Sequence, residues 1–598
     1  MNGNFSLSLQ PIKNLIYRTS FGFSYSSYSR RGYSPSYYLD SQHFKESTQD
    51  EVSQSMNMGY RWVFDNTLSY IFTLNDAHNF NAMIGNSAEK TGFGESVNAG
   101  NVNSLFDDFK HAYVGNTQVR DITRLSIGGS PWGQGAIAAY FGRVNYDYNE
   151  KYMATLILRA EGSSNFAKGH RWGYFPSVSA GWNLHSESFM ENTQDWLSQL
   201  KIRGSWGQNG NQSISAFQYL STISLRGVDY FFGTDKTIST TGAYPDILAN
   251  PDVTWETSEQ LDLGIDARFL KNRLGLTFDW YNKLTKDWLV RAPVLATYGT
   301  NAPYINGGDV RNRGVEIGLA WNDRIKDFSY GVNFNIAFNK NKVLKIANEE
   351  GIIYGSVGVL SSGTEELYRA QVGYPIGYFI GYKTDGIFQT EEEVQAYTGS
   401  KGLILPDARP GDLRYIDTDG SGDITTEDRV MIGDPNPDAT FGFSFNTAWK
   451  GFDFSVTTSG VLGSQIAKSY RSFADLPRQN YTTDIFDRWH GPGTSNTVPR
   501  LTSGTHIDWQ YISERFIEDG DYLRINNVSL GYDFKRLLRQ IPLAQLRVYV
   551  SIQNLYTFTG YSGMDPEVGY GSQSWVKGID LGTYPSARSF MVGASIKF

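Results

Sequence analysis

Apolar and polar residues alternate with a period of two along much of the chain. Successive side chains of a strand point to opposite sides, so this alternation gives each β-strand one apolar and one polar face. The clearest segments are 274–280, 330–338, 546–552 and 590–598, with similar ones near 15–25, 66–74, 140–148, 152–161, 174–184, 259–269, 441–449 and 452–458. The pattern predicts an all-β chain of about 16 to 18 strands.

The connections between these strands fall into two groups. Tight polar turns lie at 148–152, 270–273 and 449–452, whereas long irregular segments are expected near 91–136, 225–255, 345–375, 385–438, 462–518 and 560–588. Short turns at one end and long loops at the other are typical of outer-membrane barrels. The sequence therefore predicts a large antiparallel transmembrane β-barrel with long extracellular loops and short periplasmic turns. A soluble β-sandwich or propeller is the alternative.

Composition excludes several classes of function. Net charge is −8, the wrong sign for a nucleic-acid binder, and the chain has no Cys and so neither disulfides nor thiolate chemistry. No apolar run reaches the roughly 18 residues that a transmembrane helix requires. The seven His are scattered, and neither H-E-x-x-H, G-x-S-x-G nor a P-loop occurs. We therefore expect no enzymatic activity.

Several segments, in order along the chain, resemble the SusC/RagA-like TonB-dependent outer-membrane transporters of Bacteroidetes-type bacteria. They are RAEGSSNF (159–166), RWGYFPSVSAGWN (171–183), LKIRGSWGQNGN (200–211), NGGDVRNRGVE (306–316), GYFIGY (377–382), GIF (386–388), DYLRINNVSLGY (521–532), QNLYTFTGY (553–561) and DPE (565–567). The resemblance implies that residues 1–598 are a partial TonB-dependent receptor β-barrel domain.

Members of that family carry a signal sequence, an N-terminal extension, a TonB box and a plug before the barrel, and none of these is readable here. Barrels of this type close at about 22 strands. The alternation of Phe5, Leu7 and Leu9 begins as if inside a strand. We therefore expect that this chain alone does not form a stable closed barrel, because unpaired backbone groups in hydrocarbon are costly.

The resemblance also implies a function and partners. It predicts a conduit in the outer membrane of a Gram-negative bacterium that imports oligosaccharides, or peptides, together with a SusD-like surface lipoprotein. Energy would come from the TonB complex through the N-terminal part that is not readable here. The alternatives are a passive porin or structural surface barrel, and a soluble carbohydrate-binding all-β protein.

Substrate-binding residues stay open at this point. Aromatic faces stack on sugar rings, but with 15% aromatic residues most must serve packing or membrane girdles. The candidates in the expected loops are Trp132, Tyr298, Tyr304, Tyr354, Trp509, Tyr570 and Trp575.

The sharpest local motif lies in the expected long loop 385–438. The segment 417–428, DTDGSGDITTED, matches the EF-hand loop template, with Gly422 at position 6 for the sharp turn. Its predicted ligands are Asp417, Asp419, Ser421, Asp423 (through its backbone carbonyl) and Asp428. The motif predicts a structural Ca²⁺ site that stiffens the loop; the alternative is an acidic, Gly-rich turn that binds nothing.

The same loop contains a helix signature. Thr390 is the expected N-cap, and Glu393 occupies the third helical position of a capping box. The sequence predicts a short surface helix at this point, without a chemical role.

Overall fold

A computed structural model describes residues 1–37, 49–117, 125–232, 238–291, 299–360, 363–468, 483–502, 506–538, 540, 542–569 and 575–598, with 225–232, 238–241 and 509 described by their backbone alone. Nearly half of these residues belong to one 17-stranded sheet, which confirms the predicted all-β class and agrees with the predicted 16 to 18 strands. No helix in the described part of the chain is long and apolar enough to cross a membrane.

The strands of the large sheet are longer than those of most globular proteins. They span Asn2–Ile12, Leu15–Ser34, Glu51–Leu74, His78–Val102, Ser126–Tyr148, Tyr152–Ser163, Trp172–Asn183, Leu197–Asn211, Glu256–Phe269, Leu274–Lys286, Gly308–Ile325, Phe328–Ile346, Ala439–Trp449, Phe452–Leu462, Tyr522–Asp533, Gln545–Thr559 and Ser589–Lys597.

Smaller elements occupy the connections. The short strands are Thr222–Phe232, Ile238–Ile247, Leu289–Arg291, Tyr304–Asn306, Ile352–Tyr354, Tyr368–Gln371, Tyr378–Gly381, Thr384–Ile387, Thr398–Gly399, Gly402–Leu403, Leu413–Tyr415, Val430–Gly433, Gln465–Lys468, Ile517–Asp519 and Ile579–Asp580. The α-helices are Glu391–Ala396 and Ile507–Gln510, and the 3₁₀ turns are Phe109–His111, Val114–Asn116, Leu184–Ser186, Ser188–Thr193, Thr426–Asp428, Thr483–Asp487, Glu514–Phe516 and Phe534–Arg536.

The chain divides into two compact units. The first comprises Met1–Ala180, Gly207–Thr257 and Leu289–Asn306. Its six strands between residues 2 and 163 pair antiparallel with their sequence neighbours. Directly opposed residues form an apolar row on one face: Leu9, Tyr17, Leu68, Ile84, Gly142 and Leu158. Leu9, Leu68, Ile84 and Leu158 of that row are exposed, so the part of the chain that the structure describes leaves this face uncovered.

The second unit comprises Gly181–Trp206, Ser258–Trp288 and Gly307–Phe598. One row of directly opposed residues runs across eight of its strands: Leu274, Trp321, Val332, Phe445, Val456, Val528, Ile552 and Phe590. We call this row the apolar belt. A shift of one residue along every strand gives the opposite face: Gly275, Ala320, Asn333, Ser444, Thr457, Asn527, Gln553 and Ser589.

Within the described residues, no protein layer covers the apolar face of this second unit. Phe590 is 71% exposed and Val592 is 79% exposed, and Val550 and Ile596 are half exposed. A soluble sandwich would bury such residues against an opposing sheet. The exposure of this face therefore excludes the sandwich interpretation for these strands.

The predicted tight turns are confirmed. Tyr148 pairs with Tyr152, so the first turn contains three residues, and Trp449 pairs with Phe452, so the second contains two. Left-handed backbone angles at Lys450 (φ 47°) and Gly451 (φ 98°) give the turn the twist of a tight hairpin.

The expectation of irregular structure at 91–136 is wrong at both of its ends. The strands His78–Val102 and Ser126–Tyr148 extend into this segment, and Gly100 pairs with Ser126. Gly, Ser and Asn dominate one face of this ladder, whereas Phe93, Val97 and Ile127 lie on the other face among Gly and Pro, so the apolar alternation there is weak. A strand of 25 residues is about 80 Å long, far more than the roughly 30 Å of membrane hydrocarbon. The segment 225–255 likewise contains a hairpin, Thr222–Phe232 with Ile238–Ile247.

Candidate functional site

Three segments form a unit that we call the loop module, made of residues 382–433, 483–502 and 506–516. It packs around a core of its own. Its buried residues include Ile387, Phe388, Val394, Leu413 and Tyr415. Three tyrosine rings meet within this core. Tyr382 and Tyr511 stack with their centroids 4.5 Å apart, and Tyr415 lies edge-on to both. Burial raises the pKa of Tyr382 and of Tyr415. These contacts make the connection a folded unit rather than an open loop.

The predicted surface helix is confirmed as Glu391–Ala396. The Thr390 hydroxyl accepts the N–H of Glu393 at 3.3 Å, which is the expected cap. The Glu393 carboxylate accepts the N–H of Gln389 at 2.7 Å, one residue before the position that the capping box predicts.

The metal-loop segment 417–428 folds around its first carboxylate. Asp417 accepts backbone N–H groups from Gly420 and Ser421 on one oxygen (2.8 and 3.0 Å) and from Gly422 on the other (2.8 Å). Left-handed angles at Gly420 (φ 73°) and Gly422 (φ 90°) allow the chain to wrap so tightly. The left-handed angle at Gly422 agrees with the sharp turn predicted for position 6 of the loop.

Asp428 closes the loop from the other end. It is fully buried, and its Oδ1 accepts the N–H of Thr418 at 2.6 Å while its Oδ2 accepts the N–H of Thr425 at 2.8 Å. Carboxylate oxygens of Asp417, Asp419 and Asp428 lie within 4.8 Å of one another. The structure therefore brings together three of the predicted ligands, in an arrangement that could hold one hard cation.

The other two predicted ligands lie beside this group. The Ser421 hydroxyl donates to the backbone oxygen of Asp423 at 3.1 Å, and the Asp423 side chain accepts from Lys401 Nζ at 2.8 Å. The hydrogen bond from Lys401 lowers the pKa of Asp423, and the Ser421 N–H lowers the pKa of Asp419. Lys401 thus engages the Asp423 side chain, and Ser421 contacts the Asp423 backbone carbonyl.

A buried ion-pair network anchors the residue after the metal loop. Arg429 is 3.1 Å from Glu365 Oε2 and 3.1 Å from Glu366 Oε1, and Arg369 is 2.7 Å from the same Glu366 oxygen. Burial opposes the ionisation of Glu366, but the hydrogen bond from Arg369 and the charge of Arg429 lower its pKa overall. The network joins the metal loop to the strand Tyr368–Gln371.

Most of the predicted ligand aromatics that the structure describes serve packing. Trp132 lies over Gly59, Gly92 and Gly94, where an added Cβ would meet its ring at 3.0, 3.2 and 2.9 Å. Trp575 packs edge-on against Tyr368 with centroids 5.3 Å apart.

Tyr304 borders a buried aromatic core, and Tyr354 is exposed beneath the Arg369 guanidinium. Tyr298 and Tyr570 lie outside the described residues, as does the side chain of Trp509. Among the predicted ligand aromatics whose side chains the structure describes, Tyr354 is the most exposed.

A second polar cluster was not predicted. Asp412, His506 and Asp508 meet inside the loop module although 94 residues separate the first two, and the isolated His506 carried no local sequence signal. Burial raises the pKa of Asp508 to about 7.

An antiparallel sheet with one exposed apolar face, one polar face and elaborate connections defines the class of outer-membrane β-barrel proteins. Residues 2–555 match the family described as "TonB dependent receptor-like, beta-barrel". The chain belongs to this family and is an outer-membrane protein.

Its relatives bear names from the same family. The chain is 31% identical over 605 residues to "TonB-dependent receptor P3" of Formosa agariphila, covering 100% of this chain and 58% of the relative. It is 29% identical over 474 residues to "TonB-dependent receptor SusC" of Bacteroides thetaiotaomicron, covering 77% of this chain and 44% of the relative. These matches confirm the predicted SusC-like resemblance, and the chain spans about half the length of these relatives.

The fold also matches a solved transporter. The structure titled "Structure of the RagAB peptide transporter" superposes with a TM-score of 0.81 and 21% identity, over 100% of this chain and 61% of that one. At 21% sequence identity, this match shows that the two proteins share a fold and nothing more.

Proposed function

We propose that this protein forms the conduit of a TonB-dependent importer that moves oligosaccharides or peptides across the outer membrane without altering them. The observation that carries the proposal is the pairing of the apolar belt with a polar opposite face in a chain of this family. The long connections, including the loop module, lie on the extracellular side in this proposal. A SusD-like lipoprotein delivers the solute there, and the TonB complex supplies energy.

Energised uptake separates this proposal from a passive porin. In the native bacterium, deleting the gene for this chain should abolish uptake of one labelled solute from a panel of oligosaccharides and peptides. A protonophore should abolish the same uptake in the parent strain, since TonB draws on the proton gradient. Continued uptake with the protonophore would contradict the proposal and favour the porin.

A second experiment tests the conduit role and the partner. The solute recovered from the periplasm should have the mass of the solute supplied, because a conduit breaks no covalent bond. Affinity purification of this chain from detergent-solubilised outer membranes should recover a surface lipoprotein. Recovery of a cleaved solute would contradict the non-enzymatic role, and the chain purifying without a lipoprotein would contradict the partnership.

We further propose that segment 417–428 binds Ca²⁺ and that the ion stiffens the loop module. Support comes from the three clustered carboxylates and from the wrapping of the backbone around Asp417. Calcium prefers six to eight oxygen ligands, which side chains, the Asp423 carbonyl and water would supply together.

Limited proteolysis tests this site. Calcium should slow cleavage within 410–430 in the native sequence, and Asp417→Asn should abolish the protection because it removes the central carboxylate. Asp407→Asn is the matched control, since Asp407 is an exposed acid of the same module. Equal cleavage of the native chain in calcium and in chelator would contradict the proposal.

A further inference from the structure

Asp412, His506 and Asp508 form a compact group in the loop module, away from the metal loop. His506 Nε2 lies 3.5 Å from Asp412 Oδ2, and His506 Nδ1 lies 3.5 Å from Asp508 Oδ2. One ligand atom from each residue lies within 4.8 Å of the other two. The group therefore offers one imidazole nitrogen and two carboxylates.

Asp508 is the unusual member of the group. It is 1% exposed, and its Oδ1 is buried without a hydrogen-bond partner among the described residues. Its other oxygen accepts the N–H of Leu413 at 3.1 Å. A buried carboxylate oxygen with no donor is costly, so this atom points to a bound group that the protein itself does not provide.

Neighbouring groups also hold the Asp412 carboxylate in place. Asp412 Oδ1 accepts from Arg500 Nε at 2.6 Å, and Asp412 Oδ2 accepts from the backbone N–H of Arg409 at 2.8 Å. Outer hydrogen bonds of this kind orient the ligands in metal sites.

One separation also fits a pair of metal ligands better than a hydrogen bond. Nitrogen–oxygen hydrogen bonds cluster near 2.9–3.0 Å. Two ligands of a tetrahedral zinc ion, with bonds of about 2.0–2.2 Å, lie about 3.3–3.5 Å apart. The 3.5 Å between His506 Nε2 and Asp412 Oδ2 matches the second spacing, whereas His506 Nδ1, on the other side of the ring, accepts the N–H of Asp508 at 3.3 Å.

We propose that Asp412, His506 and Asp508 bind a single divalent transition-metal ion of the zinc class. One imidazole nitrogen and carboxylate oxygens suit such an ion, whereas calcium and magnesium favour all-oxygen sites. The ion joins the turn after Arg409 to the N-terminal end of the helix Ile507–Gln510, and the two are distant in sequence. Its role is structural: it cross-links the loop module.

The experiment uses the full purified chain in detergent with ZnCl₂ as the probe. Calorimetry should show one saturable site, and His506→Gln should weaken zinc binding at least about 100-fold, beyond the 10–100-fold typical of outer-shell losses. His490→Gln, which changes an exposed His of the same module, should leave the affinity unchanged. Asp417→Asn should also leave it unchanged, which separates this site from the calcium loop.

Crystals of the native sequence soaked in ZnCl₂ test the site without any variant. Anomalous scattering at the zinc edge should place an ion about 2.0–2.2 Å from atoms of all three residues. Absence of a peak there would overturn the proposal and indicate that Asp508 is simply protonated. Zinc affinity equal in the native chain and in His506→Gln would overturn it as well.

Discussion

The eight strands that carry the apolar belt, which we call the wall, and the loop module place apolar residues in opposite environments. Phe590 and Val592 of the wall are largely exposed, whereas Phe388 and Tyr415 of the loop module are completely buried. A chain does not leave eight strands of apolar side chains in water, so the wall faces hydrocarbon and the module faces water. The same residue types thus report the solvent around each region.

The loop module should depend on its core in the manner of a soluble domain. Phe388 is fully buried and packs against Tyr397 with ring centroids 5.5 Å apart. Phe388→Ala should destabilise the module by about 3–5 kcal/mol, seen as faster hydrogen–deuterium exchange across 382–415. Exchange in the wall strands should not change.

The matched control for that variant is Phe486→Ala, because Phe486 is 76% exposed in the same module. Its effect should stay within about 0.5 kcal/mol. Equal effects at Phe388 and Phe486 would contradict the assignment of a water-facing module with its own core.

The wall should instead reject charge on its apolar face. Phe445 lies in the apolar belt, and its neighbour Asn446 points to the opposite face. Phe445→Arg should cost about 2–4 kcal/mol in equilibrium unfolding from lipid bilayers. Asn446→Arg should cost much less, and equal costs would remove the distinction between the two faces.

The ion-pair network beside the metal loop should make the strand Tyr368–Gln371 sensitive to the loss of charge. Glu366→Gln removes charged hydrogen bonds to Arg369 and Arg429 and should cost about 1.5–3 kcal/mol. Exchange rates of the strand Tyr368–Gln371 report the change. Unchanged rates would show that the network contributes nothing to stability.

Acid should have the same effect on the native sequence. The folded-state pKa of Glu366 is lowered from its ordinary value of 4.5, so its contribution is fully present at neutral pH. It is lost as the pH falls below about 4.5 and through the lowered pKa. Exchange near 366–371 should therefore accelerate over that range in the native chain and less in Glu366→Gln.

The smallest predicted effect concerns the helix cap. Thr390→Ala removes the hydroxyl that accepts the Glu393 N–H and should cost about 1 kcal/mol, confined to Glu391–Ala396. Thr390→Ser keeps the hydroxyl and should restore most of the protection from exchange. Equal exchange in both variants would argue against the cap.

The sequence predicted those features whose signal is local. Alternation located strands such as Phe328–Ile346, Gly422 indicated the tight metal loop, and Thr390 indicated a helix start. The pairing of Gly100 with Ser126 was not predicted, because many Gly, Ser and Asn residues make the apolar alternation of these strand ends weak. The meeting of Asp412 with His506 escaped because it depends on tertiary packing across 94 positions.

Site-directed spin labelling tests the central claim most directly, because a chain without Cys accepts single labels cleanly. Labels would replace residues 443–447 one at a time in the full chain, reconstituted in lipid bilayers. Accessibility to oxygen should peak at 443, 445 and 447, and accessibility to a water-soluble nickel complex should peak at 444 and 446. Labels at 443, 445 and 447 that are accessible to the nickel complex, or to neither reagent, would contradict a lipid-facing wall.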